Sequence, residues 1–404
     1  MKCKPLVTPV RAVIGQLMRA FYPITRHIGM QLPDTRTEPC AETLSSLVTI
    51  NDIKDLTLAY VQSLRLTRRG SFIGYRHSAS TTKPVLYATI AALLLKHLYG
   101  VHDEQCQEEL EFVLSFQSDD SLFRDPVIAC RTAETEDWWG WRHLTLHALM
   151  TLALYGQPAR KNLGNLERFY EKDSFLTYLR SRDWSEKAAY TSNEIQNIGV
   201  MLQYARDYQS DLRAGELLNI LYEFLDSKQN PETGLYGASF RTPAEISLGC
   251  QAGYHFWLLY LYDRRPIHFV ERIIDNLLKT QNILGGYAPR WHSSACEDID
   301  SIDPLVRLSR LSNYRHDDVQ ASLRRALPAI LANLNGDGGW VFRRHEALTV
   351  VHPQMYSAVN ESNLFYSWFR TLGLAYLLSG MEDVPQGLEY KWNFQRAPGH
   401  QFLD

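Results

Sequence analysis

Three carboxylates fall within six residues of the segment GGYAPRWHSSACEDIDSIDPLVRLSRL, at Asp298, Asp300 and Asp303. That is more acid than the capping of one helix requires. Packed so closely they repel one another, and at least one is expected to keep its proton in a dry site. A protonated carboxyl is what an acid catalyst needs, whether it protonates an alkene or assists glycosidic cleavage. One of the three is the expected proton donor, with the other two tuning it. A second group stands in EDWWGWRHLTLHALM, where Trp138, Trp139, Trp141, His143 and His147 come together. The two histidines are four residues apart and share a helical face. His143 is a candidate acid or base, and as a metal half-site the pair would need a further ligand from another helix. The faces of Trp138 and Trp139 can shelter a carbocation, each for about 0.5 to 2 kcal/mol, or stack on a sugar ring.

Other polar residues interrupt strongly apolar segments: Asn193, Glu194 and Asn197; Glu245, Gln251, Tyr254 and His255; Asn363, Tyr366 and Arg370. Buried amides and carboxylates need partners, so their convergence on one place is the economical expectation. Glu194, Asn197, Glu245, His255, Tyr366 and Arg370, with the two tryptophans, are the expected substrate-binding residues. Arg370 either pairs with the acidic cluster or holds an anionic group such as a diphosphate or a uronate. Arg343 and Arg344 either guard the same opening or are solvated surface charge.

The elements that must position these residues repeat. From about Pro84 two kinds of helical segment alternate, and a glycine-containing turn follows every second one: KQNPETGLYG from Lys228, TQNILGGYAPR from Thr280, NLNGDGGWVF from Asn333. Their anchors Gln117, Gln229, Gln281 and Asn335 are separated by 112, 52 and 54 residues, so a degenerate copy is expected between the first two, at RSRDWSEKAAY from Arg180. A period near 54 suits a helical hairpin. Six inner helices are expected over 78–98, 138–155, 191–208, 245–262, 297–312 and 362–379, apolar nearly all round, walled by six more amphipathic outer ones. The glycines allow positive φ where outer helices end, and the turn aromatics pack back as staples. Residues 1–50 read as an N-terminal arm and 51–404 as a single all-α toroid of hairpins. Inner helices all running one way would bring their opening residues to the mouth of a central cavity.

The chain has 404 residues, 45% of them hydrophobic, and a net charge of −3. It is long enough to bury a substantial core, and its scattered Lys and Arg form no stripe that would track nucleic acid. Six cysteines, at positions 3, 40, 106, 130, 250 and 296, are too sparse for a disulfide framework, so a cytoplasmic location is expected. No run is long enough to span a membrane, although Val10–Tyr22 reads as a short basic amphipathic helix that either packs on the body or touches a membrane surface. No cofactor is expected; a divalent ion such as magnesium stays open without a motif behind it.

The turns resemble the repeats of squalene and hopene cyclases and of protein prenyltransferase β subunits, in which a Gln, a Gly pair and an aromatic mark the passage from outer to inner helix. The likeness covers roughly residues 84–380 and implies an (α/α)6 toroid of the terpenoid-cyclase type. The acidic segment resembles the surroundings of the DxDD motif of class II terpene cyclases, which would place Asp298 on the first Asp and Asp300 on the catalytic acid. Ser301 stands where that family has a further Asp. The zinc ligands of the prenyltransferases are replaced, Asp298-x-Asp300 standing for Asp-x-Cys and Ser367 for the His after Phe365-Tyr366. The resemblance implies acid-initiated cyclisation of a prenyl substrate. The residues also suit a carbohydrate hydrolase, lyase or epimerase, with Asp300 and Glu194 or Glu245 as the acid and base pair, and a noncatalytic binding protein is the third reading.

Overall fold

The computed structural model describes residues 49–128, 140–350, 352–400 and 402–403. Twelve α-helices follow one another among them: α1 (Ile50–Ser63), α2 (Leu86–Leu98), α3 (Glu104–Leu114), α4 (Trp141–Leu154), α5 (Lys172–Arg180), α6 (Ala188–Gln209), α7 (Leu212–Lys228), α8 (Pro243–Tyr262), α9 (Val270–Lys279), α10 (Ala295–Leu311), α11 (His316–Leu331) and α12 (Leu364–Gly380). The even-numbered helices are the inner ones, and each packs on the next: α2 on α4, then α6, α8, α10, α12 and back to α2. That closure makes the chain an all-α, six-hairpin toroid. Sequence explains the division of labour. Every residue of α2 is buried, whereas α9 buries one stripe, Ile273, Ile274, Asn276 and Leu277, and keeps its charges outside.

The repeated turns hold the hairpins in register. Gln281 donates from Nε2 to its own turn at Gly285 O (2.9 Å) and onward to Ser322 O in α11 (2.8 Å). Gln229 does the same with Gly234 O and His268 O, and Gln117 with Ser121 O and Lys161 O. The last repeat shifts by one. Leu334 bridges Trp340 as Gln281 bridges Tyr287, so Leu334, not Asn335, takes the anchoring place. Asn335 instead reaches forward to Asn360 O and Ser362 Oγ. The degenerate copy lies where expected, between α5 and α6, with Trp184 Nε1 donating to Leu179 O as its staple. Gly285 takes φ +92°, and a Cβ there would stand 2.1 Å from Arg325 O. Tyr287 and Trp340 are wholly buried, as staples should be.

Two features depart from the sequence reading. A short antiparallel hairpin, β1 (Arg65–Arg68) with β2 (Ser71–Tyr75), follows α1, and β3 (Leu348–Thr349) pairs with β4 (Tyr356–Ser357) before α12. The first inner helix begins at Leu86 rather than 78. Pro84 disfavours helical backbone before it, and the cap comes from far along the chain: Asp125 Oδ2 accepts from Leu86 N at 2.7 Å. The N-terminal arm, the Val10–Tyr22 segment, Trp138 and Trp139 lie outside the described residues. No described helix is long and apolar enough to cross a membrane.

Candidate active site in the central lumen

α10 opens with a capping box. Ser294 Oγ accepts from Glu297 N, and the Glu297 carboxylate accepts from Ser294 N. At about 100° per residue, positions 296, 300, 303 and 307 share one face while 298 lies nearly opposite. The contacts follow this division. Asp298 turns away from the lumen and receives Tyr287 N (2.9 Å), Ser293 Oγ (2.7 Å) and the guanidinium of Arg370. Arg370 donates further to Ser293 O (2.8 Å), Phe342 O (2.7 Å) and Val341 O. This buried pair ties the Gly285-Gly286 turn to the strand leaving the Gly338-Gly339 turn. Of the two roles open to Arg370 in the sequence, the structure shows pairing with the acidic cluster.

On the other face, Asp303 is held by Arg307, which also donates to Tyr376 Oη (2.7 Å) and to Phe402 O. Asp300 lies between these two ion pairs, 4% exposed, and no hydrogen bond or ion pair engages its carboxyl among the described residues. Burial pushes its pKa well above the usual carboxylate range, and Glu297, Asp303 and Asp298 add repulsion. The expected mutual repulsion is therefore present, as a smaller cause than desolvation. Pro304 lacks the N–H that would bond the Asp300 carbonyl, so that backbone oxygen loses its helical partner at the same position. Cys250, Cys296 and Tyr254 are the titratable neighbours whose own ionisation Asp300 opposes.

Four imidazoles and a set of aromatic rings complete the lumen. His143 Nδ1 bonds Tyr87 Oη at 2.8 Å, and its ring lies 4.4 Å from that of His147. His147 Nδ1 faces His143 O at 2.8 Å and must carry the proton there, which leaves a lone pair on Nε2; that nitrogen has no hydrogen-bond partner among the described residues. His255 Nδ1 bonds Ser192 Oγ at 2.8 Å, and Tyr254 Oη faces His400 Nδ1 at 3.2 Å. Burial keeps all four neutral, lowering His147 to about 4 and His255 to about 3, and holding His143 and His400 well below the usual range. Tyr87, Phe365, Tyr366, Trp368 and Phe369 pack around them, Phe365 edge-on to Tyr87 at 5.8 Å and Tyr366 against Phe342 at 4.5 Å. Among the described residues no group of three His, Cys, Asp or Glu side chains could hold a metal ion.

The structure thus brings Asp300, Asp303, His143, His255 and Tyr366 together and separates the others. Glu194 turns outward, accepting from Tyr178 Oη of α5 (2.7 Å) and from Arg182 (3.1 Å). Glu245 is spent at the surface in the capping box that starts α8, receiving Thr242 N and Arg241 N. Neither carboxylate faces Asp300. Asn197 is fully buried within α6. Arg343 pairs with Glu297 and Glu346, and Arg344 donates to Ala332 O, Leu334 O and Asn335 Oδ1, so both serve structure rather than an open mouth. Tyr87, Pro304 and His400 escaped the sequence reading. Pro304 was signalled by its place four residues after Asp300, whereas nothing in the sequence pointed to His400.

No family model and no curated protein matches this chain. Solved structures resemble it in the course of the backbone. An ent-copalyl diphosphate synthase from Streptomyces platensis is 16% identical with a TM-score of 0.42, over 92% of this chain and 67% of that one. Possible members of the GH105 family from Salmonella enterica serovar Paratyphi A and from Klebsiella pneumoniae are each 12% identical with TM-scores of 0.41, over 86% of this chain and 97% and 98% of theirs.

Proposed function

We propose that the protein is an enzyme that cyclises or isomerises a prenyl substrate by protonating one of its double bonds, with Asp300 as the acid. The observation that carries this reading is a buried, unengaged carboxyl on the inner face of α10, its pKa pushed well above the usual carboxylate range by burial, within a ring whose interior is rich in aromatic side chains. The Asp300 O–H bond breaks as the alkene's π pair takes the proton, leaving a tertiary carbocation. The faces of Tyr87, Phe365, Tyr366 and Phe369 shelter that cation from water, each for about 0.5 to 2 kcal/mol. Loss of a neighbouring C–H proton to a neutral imidazole closes the sequence with a new double bond. Asp303 and Glu297 help to hold the Asp300 proton at neutral pH, and the Arg307 and Arg370 pairs keep their charges away from it. A glycoside hydrolase with an acid and base pair needs a second free carboxylate opposite Asp300, and Glu194 and Glu245 are both engaged elsewhere.

Incubation with prenyl diphosphates, squalene and oligosaccharides, followed by product analysis, tests the reading. Wild type should convert a prenyl substrate to a cyclic or isomerised product, and Asp300→Asn should lose at least about a hundredfold in rate, the usual worth of a positioned acid. Turnover of the prenyl substrate that survives this substitution, or conversion of an oligosaccharide instead, would overturn it.

A further inference from the structure

The segment after α12 does not stay outside the ring. His400 touches rings from three alternate inner helices: His147 of α4 (centroids 5.8 Å apart, stacked), Tyr254 of α8 (5.8 Å) and Phe369 of α12 (5.7 Å). A side chain that meets every second member of a closed six-membered ring lies inside it. Two residues on, Phe402 meets Tyr262 of α8 by an edge contact at 6.0 Å, and its carbonyl accepts from Arg307 of α10 and Tyr376 of α12. Tyr262, Arg307 and Tyr376 stand near the C-terminal ends of their helices, and Asn393 N donates to Leu98 O just at the end of α2. The segment therefore enters through the end of the barrel opposite the acidic cluster's opening and rises to His400. Gly399 lies where a Cβ would meet Met150 Sδ at 3.0 Å, so this backbone fits closely against α4.

Accessibility changes across His400. On α8, Gln251 and His255 remain partly exposed toward the mouth, whereas Tyr254, Ala397, His400 and Phe402 are buried. Asp303, which faces Tyr254, lies three residues beyond Asp300 on α10, so at 1.5 Å per residue His400's hydrogen-bond partner stands about 4.5 Å, nearly one helical turn, deeper than the acid. A chain entering past Asp300 would meet the imidazole of His400 as the end wall.

We infer that Ala397–His400 together with Phe402 form the floor of the reaction chamber and that His400 sets the length of prenyl chain the chamber accepts. This rests on the prenyl reading for the class of ligand. His400 acts by filling space, held by Tyr254 Oη and by the Arg307 clamp on Phe402 O, and a closely packed interior transmits the loss of its ring directly into chamber depth. Even one methylene in an apolar pocket changes affinity by about tenfold or more.

The test compares binding of farnesol and geranylgeraniol, read by quenching of tryptophan fluorescence, in wild type, His400→Ala and His400→Asn. Both substitutions should move the ratio of the two dissociation constants at least tenfold toward the longer alcohol, with near-ultraviolet circular dichroism unchanged. An unmoved ratio in a folded variant, or no binding of either alcohol to wild type, overturns the inference. A wild-type measurement stands beside these in case neither variant folds: geranylgeraniol should slow amide hydrogen exchange across residues 397–402, and exchange unaltered by bound ligand also overturns it. Because binding is read rather than turnover, a shifted length preference without cyclisation leaves the floor standing and removes the reaction, while cyclisation with an unmoved ratio does the reverse.

Discussion

At position 300 the property that costs stability is the same one that the proposed reaction would use. Burial in the folded state raises the pKa of Asp300 well above the ordinary value of 3.8 at which it ionises in the unfolded chain. Unfolding therefore releases a proton as pH rises above that value, and this group's effect on stability becomes steadily more adverse until the folded pKa is passed. Asp300→Asn should raise the urea midpoint at pH 8 and raise it less at pH 5, while abolishing turnover; equal midpoints at both pH values would contradict a buried neutral acid. Burial raises the pKa of Asp298 as well, but there Arg370, Tyr287 N and Ser293 Oγ work against the shift, whereas no described residue does so at Asp300. Arg370→Met should cost about 3 to 5 kcal/mol in equilibrium unfolding, since it strands Asp298 and three carbonyls in the interior. Two aspartates one turn-step apart thus have unlike fates, and rotation by 200° about the helix axis is what separates them.

Helices and turns carried most of what the sequence revealed, and the reasons are local. Apolar runs as long as LYATIAALLLKHL cannot face water on any side, so the inner ring was legible from composition alone. The glycine pairs were legible because their places admit no side chain. Gly286, for instance, lies where a Cβ would meet Ser293 Oγ at 2.2 Å. Gly286→Ala should push Ser293 off Asp298 and cost about 1 to 3 kcal/mol, measurable as a lowered urea midpoint with an unchanged slope. Glu194 shows the limit of such reading. Its neighbours Asn193 and Asn197 also interrupt an apolar helix, and only the position of α5, fixed by tertiary packing, decides that this carboxylate meets Tyr178 and Arg182 instead of the lumen. The start of α2 escaped for a similar reason, its cap being supplied by Asp125 from 39 residues away. His400 was invisible because APGHQF has no period and no motif, and its place follows from contacts with three helices far off in the chain.

The interior of the ring holds acids of raised pKa and imidazoles of lowered pKa together, and this makes stability depend on pH from both directions. Four imidazoles, three buried and His255 partly exposed, are held uncharged by desolvation, with His147 lowered to about 4 and His255 to about 3. In the unfolded chain they titrate near 6.5, so below that pH the unfolded state takes up protons that the folded state refuses, and stability falls as pH drops from 6.5 toward 4. Each such histidine contributes a slope of about 1.4 kcal/mol per pH unit in that window. Asp300 erodes stability in the other direction, above its unfolded value, so the two groups oppose each other between about pH 4 and 6.5. The histidines prevail there by number, and an acid limb should emerge. Replacing His147 by Leu keeps the site apolar and removes one titrating group. Urea unfolding of this variant at pH 4.5, 5.5 and 6.5 should show the limb shallower by about 1.4 kcal/mol per pH unit, whatever the substitution does to stability at neutral pH. An unchanged limb would mean that water reaches this imidazole and that burial does not hold it neutral.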